Sequence, residues 1–120
     1  PALVKAMRLQ EKQKQTGLEW DNTRQVWDKV KEEVNELEEA VNSGNKDAME
    51  DEFGDVMFSL VNYSRFLDID AENALERTNK KFQRRFQAME ALALQEGRTL
   101  NDMTLTEMDT LWNRVKTTEQ

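Results

Sequence analysis

Two pairs of acidic residues, each with its members three positions apart, are the part of the chain whose residue types could do chemistry. Glu33 and Glu36 lie in one predicted helix, and Glu52 and Asp55 lie in the next. At about 100° per residue, both pairs fall on the same rotational side of the apolar stripe of their helix. Convergent carboxylates with no sulfur or imidazole nearby suit a hard cation, Mg²⁺ or Mn²⁺. The sequence therefore predicts a metal site at the edge of the helix seam or across a subunit interface.

A solvated acidic face is the competing interpretation, because 34% of the residues are charged. The matching phase of the two pairs on consecutive helices weighs against it. So does Gly54, which lies in mid-helix inside the second pair, where glycine costs about 1 kcal/mol relative to alanine. Gly54 indicates either close helix packing or the approach of a ligand or partner.

Two amphipathic helices carry these acids, and a turn at residues 43–45 joins them, with Asn45 as the predicted cap of the second helix. The predicted apolar stripes consist of Val26, Val30, Val34, Leu37 and Val41 on the first helix, and of Met49, Phe53, Val56, Leu60, Ser64 and Leu67 on the second. The second helix also carries Phe58 off its stripe, which is typical of a central or dimer-forming helix. The loop before the first helix contains Leu18 and Trp20, which we expect to pack beneath the bundle.

The rest of the chain also has helical periodicity, and it contains one proline and four glycines in 120 residues. This predicts an all-α helical bundle. We expect five helices, over about 3–16, 23–43, 46–67, 71–96 and from 105 onward. Two sequence patterns, Asn22-x-x-Gln25 and Thr104-x-x-Glu107, predict capping boxes at helix starts.

Three motifs carry a resemblance to a known family. They are Lys29-x-x-Glu32-Glu33-x-x-Glu36, then Glu52-x-x-Asp55, then Asn79-Lys80-Lys81-Phe82-Gln83-Arg84-Arg85-Phe86. Together they resemble the MazG family of nucleoside triphosphate pyrophosphohydrolases, which are all-α enzymes, and the resemblance covers nearly the whole chain. Within that family, the chain is similar to the C-terminal domain of longer bacterial proteins that contain two MazG domains. Residues 1–120 are therefore expected to be one MazG-like domain, and the missing initial methionine suggests a fragment without its N-terminal domain.

The resemblance implies Mg-dependent hydrolysis of nucleoside triphosphates to the monophosphate and pyrophosphate, by attack of a metal-activated water on the α-phosphorus. The residues it implies are Glu33, Glu36, Glu52 and Asp55 for the metal, Lys81 and Arg85 for the phosphates, and Trp112 for the nucleotide. Since the chain has no histidine, the base is a metal-bound hydroxide or a carboxylate, with Glu32 and Glu33 the nearest candidates.

Three further residues keep two interpretations each. Lys29 is either a phosphate contact or an i, i+4 ion-pair partner of Glu33. Asn79 either hydrogen-bonds the substrate or belongs to a side-chain network. Trp112 either contacts the nucleotide or packs the last helix, and one indole can do both.

The composition limits the function classes. A net charge of −7 argues against nucleic-acid or acidic-membrane binding. The absence of cysteine fits a cytoplasmic protein. A hydrophobic content of 38% is low for a monomer and favours a homodimer or larger homo-oligomer. The rival functions are a non-catalytic acidic helical dimerisation module and a narrower dUTPase-like nucleotide hydrolase of the same all-α superfamily.

Overall fold

The computed structural model describes residues 1–119, which form helices and no strand. The α-helices are α1 (Ala2–Gln15), α2 (Thr23–Ser43), α3 (Lys46–Phe66), α4 (Ala71–Gln95) and α5 (Leu105–Thr118), with a 3₁₀ helix at Leu100–Asp102. The all-α prediction is confirmed. The chain divides into two compact units, residues 1–74 and residues 75 onward. None of the described helices combines the length and apolarity that crossing a membrane requires.

Helix starts follow the predicted caps. The side chain of Asn22 accepts a hydrogen bond from the backbone N–H of Gln25 at 3.0 Å, and Asn45 does the same for Ala48 at 3.1 Å. The capping box at Thr104 is complete. The predicted box at Asn22 is only half formed, because the Gln25 side chain accepts from the backbone N–H of Asp21 instead.

Helices α2 and α3 form an antiparallel hairpin. Gly44, with φ +74°, ends α2 in the left-handed conformation that favours glycine. The Trp27 ring, near the start of α2, lies 5.2 Å from the Tyr63 ring, near the end of α3. The hairpin therefore aligns the middle of α2 with the middle of α3, where the acidic pairs lie.

The packed face of the hairpin differs from the predicted stripes. On α2 the buried residues are Val26, Val30, Glu33 and Ala40. On α3 they are Ser59, which borders a cavity together with Val26 and Glu33 of α2, and Val61, which lies about 200° away on the α1 side. The stripe residues Val34, Val41, Phe53 and Leu60 are exposed in the single chain. Periodicity predicts an apolar face but does not say which neighbour covers it. Here α3 packs on a face of α2 that includes the acid Glu33.

Helix α1 packs on α3 through a polar residue. Gln10 is fully buried, and its Nε2 donates to the backbone oxygen of Phe58 at 2.9 Å. An alanine Cβ at Gly54 would meet no atom of residues 1–119 within 4 Å, so packing within this part of the chain does not require the glycine. The loop after α1 also differs from expectation, since Leu18 and Trp20 are 68% and 41% exposed.

The second unit has its own small core. Met89 and Ala93 of α4 pack with Leu111 and Val115 of α5, and these four residues are buried. The 3₁₀ helix, which the sequence analysis missed, adds Leu100 to the edge of this core.

Candidate metal centre

The hairpin brings three of the predicted acids together. Glu33, Glu36 and Glu52 each offer one carboxylate oxygen, and these oxygens all lie within 4.8 Å of one another. Asp55 belongs to a second group of the same kind, with Asp51 and Glu52. Glu52 is therefore shared by the two groups, and Asp51 is an acid that the sequence motif did not include.

Two of these carboxylates have oxygens buried without a protein partner. Glu33 is only 7% exposed, and its Oε2 has no hydrogen-bond partner among residues 1–119. The same holds for Oε2 of Glu52. A buried acceptor without a partner is costly, so such atoms need an explanation. Several clustered carboxylate oxygens, two of them unpaired, fit a hard divalent cation.

The electrostatics of the cluster follow from its crowding. Repulsion from Glu33, and then burial, raise the pKa of Glu36 above 4.5. Burial, and then repulsion from Asp55 and Asp51, raise the pKa of Glu52. Both shifts mean that the folded chain disfavours the ionised forms of these groups. A bound cation would reverse that preference, because it stabilises carboxylate charge.

Lys29 provides the nearby positive charge. Its Nζ lies 3.0 Å from Oε1 of Glu33 and 3.4 Å from Oε1 of Glu32. The hydrogen bond to Glu33 is the main reason that the pKa of Lys29 is raised. Glu32 is exposed and lies outside both acidic groups. The structure thus shows the predicted ion pair between Lys29 and Glu33.

A cavity of about 270 Å³ opens in the first unit beside the acids. Its lining consists of Gln13, Trp20, Val26, Lys29, Glu33, Asp55, Phe58, Ser59 and Asn62. Gln13, Ser59 and Asn62 belong to no motif in the sequence and were not predicted as site residues. Their shared cavity arises only when α1, α2 and α3 pack together.

In the second unit, the predicted phosphate-binding Arg85 is already paired. Its Nε donates to Oε2 of Glu119 at 2.7 Å, and Nε of Arg84 donates to Oε1 of the same carboxylate at 3.2 Å. The hydrogen bonds from Arg85 and then Arg84 lower the pKa of Glu119. Glu119 is a partner that no sequence pattern indicates, since it lies 34 positions after Arg85.

Trp112 packs against α4 within the same unit. Its ring lies 5.5 Å from the Phe82 ring, and the Arg85 guanidinium carbon lies 5.6 Å from its centroid. Lys81 and Asn79 are exposed, and neither has an ion pair or a side-chain hydrogen bond in the described part of the chain. The packing interpretation of Trp112 is therefore observed, and its nucleotide role stays a prediction.

Comparison with known proteins places these residues in a family. The family model described as the MazG nucleotide pyrophosphohydrolase domain matches residues 22–89. The chain belongs to this MazG family. The matched region includes α2, α3 and most of α4, and hence the acids of both acidic groups.

Three curated relatives show how much of a longer protein this chain resembles. It is 40% identical, over 97% of its length, to a Thermotoga maritima protein named nucleoside triphosphate pyrophosphohydrolase/pyrophosphatase MazG, of which it covers 44%. It is 35% identical, over 99% of its length, to the Escherichia coli K12 nucleoside triphosphate pyrophosphohydrolase, of which it covers 46%. It is 54% identical, over 58% of its length, to the Bacillus subtilis protein YabN, of which it covers 14%. The chain spans less than half the length of each.

Proposed function

We propose that this chain hydrolyses nucleoside triphosphates to the monophosphate and pyrophosphate with the help of Mg²⁺, or alternatively Mn²⁺. The observation that carries the proposal is the cluster of Glu33, Glu36 and Glu52, in which two carboxylate oxygens are buried without a partner. Membership of the MazG family and the printed names of two relatives support this reaction class.

The acids would hold the cation. Glu33, Glu36 and Glu52 form the principal donor set, and Asp55 would join through its group with Glu52. A divalent cation bound there supplies Lewis-acid chemistry, neutralising phosphate charge and lowering the pKa of bound water. The hairpin fixes these carboxylates in the folded chain, so little reorganisation is needed when substrate arrives.

The products define the bonds that change. A water oxygen forms a bond to the α-phosphorus, the anhydride bond between the α- and β-phosphates breaks, and pyrophosphate leaves. The proton of the water must go to a base, and the chain has no histidine. A carboxylate is therefore the candidate among the protein's own groups. Glu33 borders the cavity, whereas Glu32 is exposed, so Glu33 is the better placed of the two predicted bases.

Cationic residues would neutralise the triphosphate. Lys29 borders the cavity and carries its charge next to Glu33. In the second unit, Lys81 is exposed and Arg85 offers a planar guanidinium suited to phosphate oxygens. Asn79 and Trp112 are proposed as nucleotide contacts on the family resemblance alone.

We also propose that the chain forms a homodimer. Val34, Val41, Phe53 and Leu60 are exposed. At about 100° per residue they fall about 60–100° to one side of the seam between the two helices, which is the line of Val26, Val30, Glu33 and Ala40 on α2 and of Glu52, Val56 and Ser59 on α3. In an antiparallel pair these positions form one continuous apolar face. Glu36 and Asp55 fall about 60–80° to the other side. A second copy could therefore cover the apolar face without covering the acids. A cytoplasmic location, favoured by the absence of cysteine, is part of the same proposal.

Product analysis tests the reaction. The protein is incubated with a panel of ribo- and deoxyribonucleoside triphosphates and Mg²⁺, and the products are separated by anion exchange. Monophosphate plus pyrophosphate is the expected result. Diphosphate plus phosphate would contradict attack at the α-phosphorus, and turnover of dUTP alone would favour a dUTPase-like enzyme. No turnover of any nucleotide would favour the non-catalytic dimerisation module.

A further inference from the structure

The cavity beside the acids has a lining of two kinds. Lys29, Glu33 and Asp55 are charged, and they belong to the proposed metal and phosphate chemistry. The other residues are uncharged, and three of them, Trp20, Ser59 and Asn62, combine an aromatic surface with hydrogen-bonding groups. A volume of about 270 Å³ lies just below the usual range of small-molecule sites, about 300–1,000 Å³. It suits one part of a nucleotide rather than all of it.

The orientation of the Asn62 amide is set by Arg65. Both Nε, at 3.2 Å, and Nη2 of Arg65 donate to Oδ1 of Asn62. Because a guanidinium can only donate, the amide oxygen must face Arg65, and two donors occupy both of its lone pairs. The amino group of Asn62 is left with two N–H donors, for which residues 1–119 supply no acceptor. Asn62 can therefore offer the cavity donors only.

Glu19 holds this arrangement in place. Its two carboxylate oxygens accept from Nη1 and Nη2 of Arg65, both at 3.2 Å, in a bidentate pair whose side chains are largely buried. Oε1 of Glu19 also accepts from the backbone N–H of Trp20 at 3.3 Å. One carboxylate thus fixes both the amide of Asn62 and the loop that carries Trp20.

Ser59 and Trp20 complete the polar and aromatic character of the cavity. The hydroxyl of Ser59 donates to the backbone oxygen of Val56 at 2.8 Å, so toward the cavity it can only accept. Ser59 and Asn62 are three residues apart on α3 and therefore share a face. Trp20 has no aromatic or cationic neighbour in the described chain. Its indole is free to stack, unlike that of Trp112.

We propose that this cavity binds the nucleobase of the substrate, with Asn62 donating a hydrogen bond to a base acceptor and Trp20 stacking on the base. Ser59 would accept from a base N–H. Arg65 and Glu19 are positioning residues, since they act through Asn62 and Trp20. The inference rests on the proposed function for its substrate class, a nucleoside triphosphate. It adds which residues of this chain contact the base.

The test replaces the donor by an acceptor without changing its shape. Asn62→Asp can keep its contact with Arg65 but offers no N–H to the base. We expect KM for the preferred nucleoside triphosphate to rise by about tenfold or more, with kcat nearly unchanged, as loss of one hydrogen bond in a cavity implies. The inhibition constant of inorganic tripolyphosphate should rise much less, because the added negative charge acts on both ligands whereas the lost N–H acts only on the base. Asn35→Asp, at an exposed position of α2, is the matched control and should change neither constant.

A second variant, Glu19→Gln, tests whether Glu19 acts by positioning Asn62. Glu19→Gln should raise KM in the wild-type background but add little to Asn62→Asp, because both changes act on the same contact. Circular dichroism and a thermal melt establish that each variant is folded. An unchanged KM in folded Asn62→Asp would overturn the inference. So would an equal rise in the inhibition constant of tripolyphosphate, since the residue would then not act on the base.

A separate measurement distinguishes failure of this inference from failure of the proposed function. Saturation-transfer NMR detects weak binding of nucleosides, which carry no phosphate. We expect wild type to bind at least one of the common nucleosides, and Asn62→Asp to lose that binding. If no nucleotide is hydrolysed but this pattern is seen, the proposed reaction is wrong and the base site stands. If nucleotides are hydrolysed and no nucleoside signal depends on Asn62, the base site is wrong and the reaction stands.

Discussion

Glu52 is the acid on which the proposed metal centre depends most, because it belongs to both acidic groups and has a buried oxygen without a partner. Burial and the neighbouring carboxylates raise its pKa, which means that the folded chain disfavours the ionised form of this carboxylate. Removing that charge while keeping the shape should relieve repulsion. It should also remove a principal ligand of the cation.

We therefore predict opposite effects of Glu52→Gln with and without metal. Without metal the variant should be as stable as wild type or more stable. Wild type should gain about 1.4 kcal/mol of unfolding free energy when Mg²⁺ is at ten times its Kd, and the variant should lose this gain together with activity. Melting curves at matched ionic strength measure both effects. Glu50→Gln, at an exposed position of the same helix, is the control and should keep the gain. Wild type without a specific Mg²⁺ response would contradict a preformed site.

Arg85 is predicted to bind phosphate, but in the structure its guanidinium is paired with Glu119. If it binds phosphate, Arg85→Ala should lower kcat/KM by about 100-fold or more, because a bidentate charged contact is lost. Because Glu119 is paired with this guanidinium, Glu119→Gln should release the guanidinium for phosphate and lower KM for the nucleoside triphosphate. Steady-state kinetics of both variants and of the double variant provide the check. In the double variant the benefit of Glu119→Gln should disappear, and a benefit that persists would show that Glu119 acts on something other than Arg85.

At the scale of single residues, the sequence was informative where contacts are local. The acids lie three positions apart on consecutive helices, so their common side could be predicted from helix geometry. The pairs Arg85–Glu119 and Arg65–Glu19 could not, since 34 and 46 positions separate their members and no periodicity links them. The cavity that contains Asn62 was missed for the same reason.

At the scale of elements, helix ends were predicted well and packed faces poorly. Caps such as Asn22, Asn45 and Thr104 act within three residues, and all three lie where the sequence places them. The seam between α2 and α3 instead buries Glu33 and Ser59 and leaves Phe53 and Leu60 exposed. Apolar periodicity does not distinguish a neighbour in the same chain from one in another chain.

Helix α5 begins with an ion pair whose strength should depend on pH. The hydrogen bond from Arg98, and then that from the backbone N–H of Thr104, lower the pKa of Glu107 from 4.5 to about 2. The folded chain therefore binds this proton less tightly than the unfolded chain. Ionised Glu107 stabilises the fold above pH 4.5, and the stabilisation is lost as the pH falls toward about 2. Both side chains are about one-third exposed, so solvent screening reduces the effect.

The matching experiment compares unfolding by urea in wild type and Glu107→Gln across that pH range. We expect the difference in unfolding free energy to shrink steadily as the pH falls from 4.5 to about 2. Glu96→Gln is the control, because Glu96 and Arg114 are 3.9 Å apart and more than half exposed. Its difference from wild type should change little. A constant difference for Glu107→Gln would mean that the pair does not shift the pKa in solution.

At the scale of the whole molecule, the apolar face of the hairpin predicts assembly. Phe53 is 57% exposed, and it lies on the same side of the hairpin as Val34, Val41 and Leu60. A contiguous apolar surface of this kind typically marks an interaction site. A second copy of the chain is the simplest partner, because a two-fold interface needs only one self-complementary patch.

Phe53→Glu should therefore convert a dimer into a monomer. A charge buried in a two-fold interface is repeated in both copies, so the cost of removing it from water is doubled. Sedimentation velocity at micromolar concentration should show wild type at twice the mass of the chain and Phe53→Glu at the mass of one chain. Leu105→Glu, at a position that is 80% exposed outside the hairpin, should remain dimeric. A monomeric wild type at this concentration would contradict the dimer. Because Glu33, Glu36 and Glu52 all come from one chain, the folded monomeric variant should still be stabilised by Mg²⁺, which would separate the metal centre from assembly.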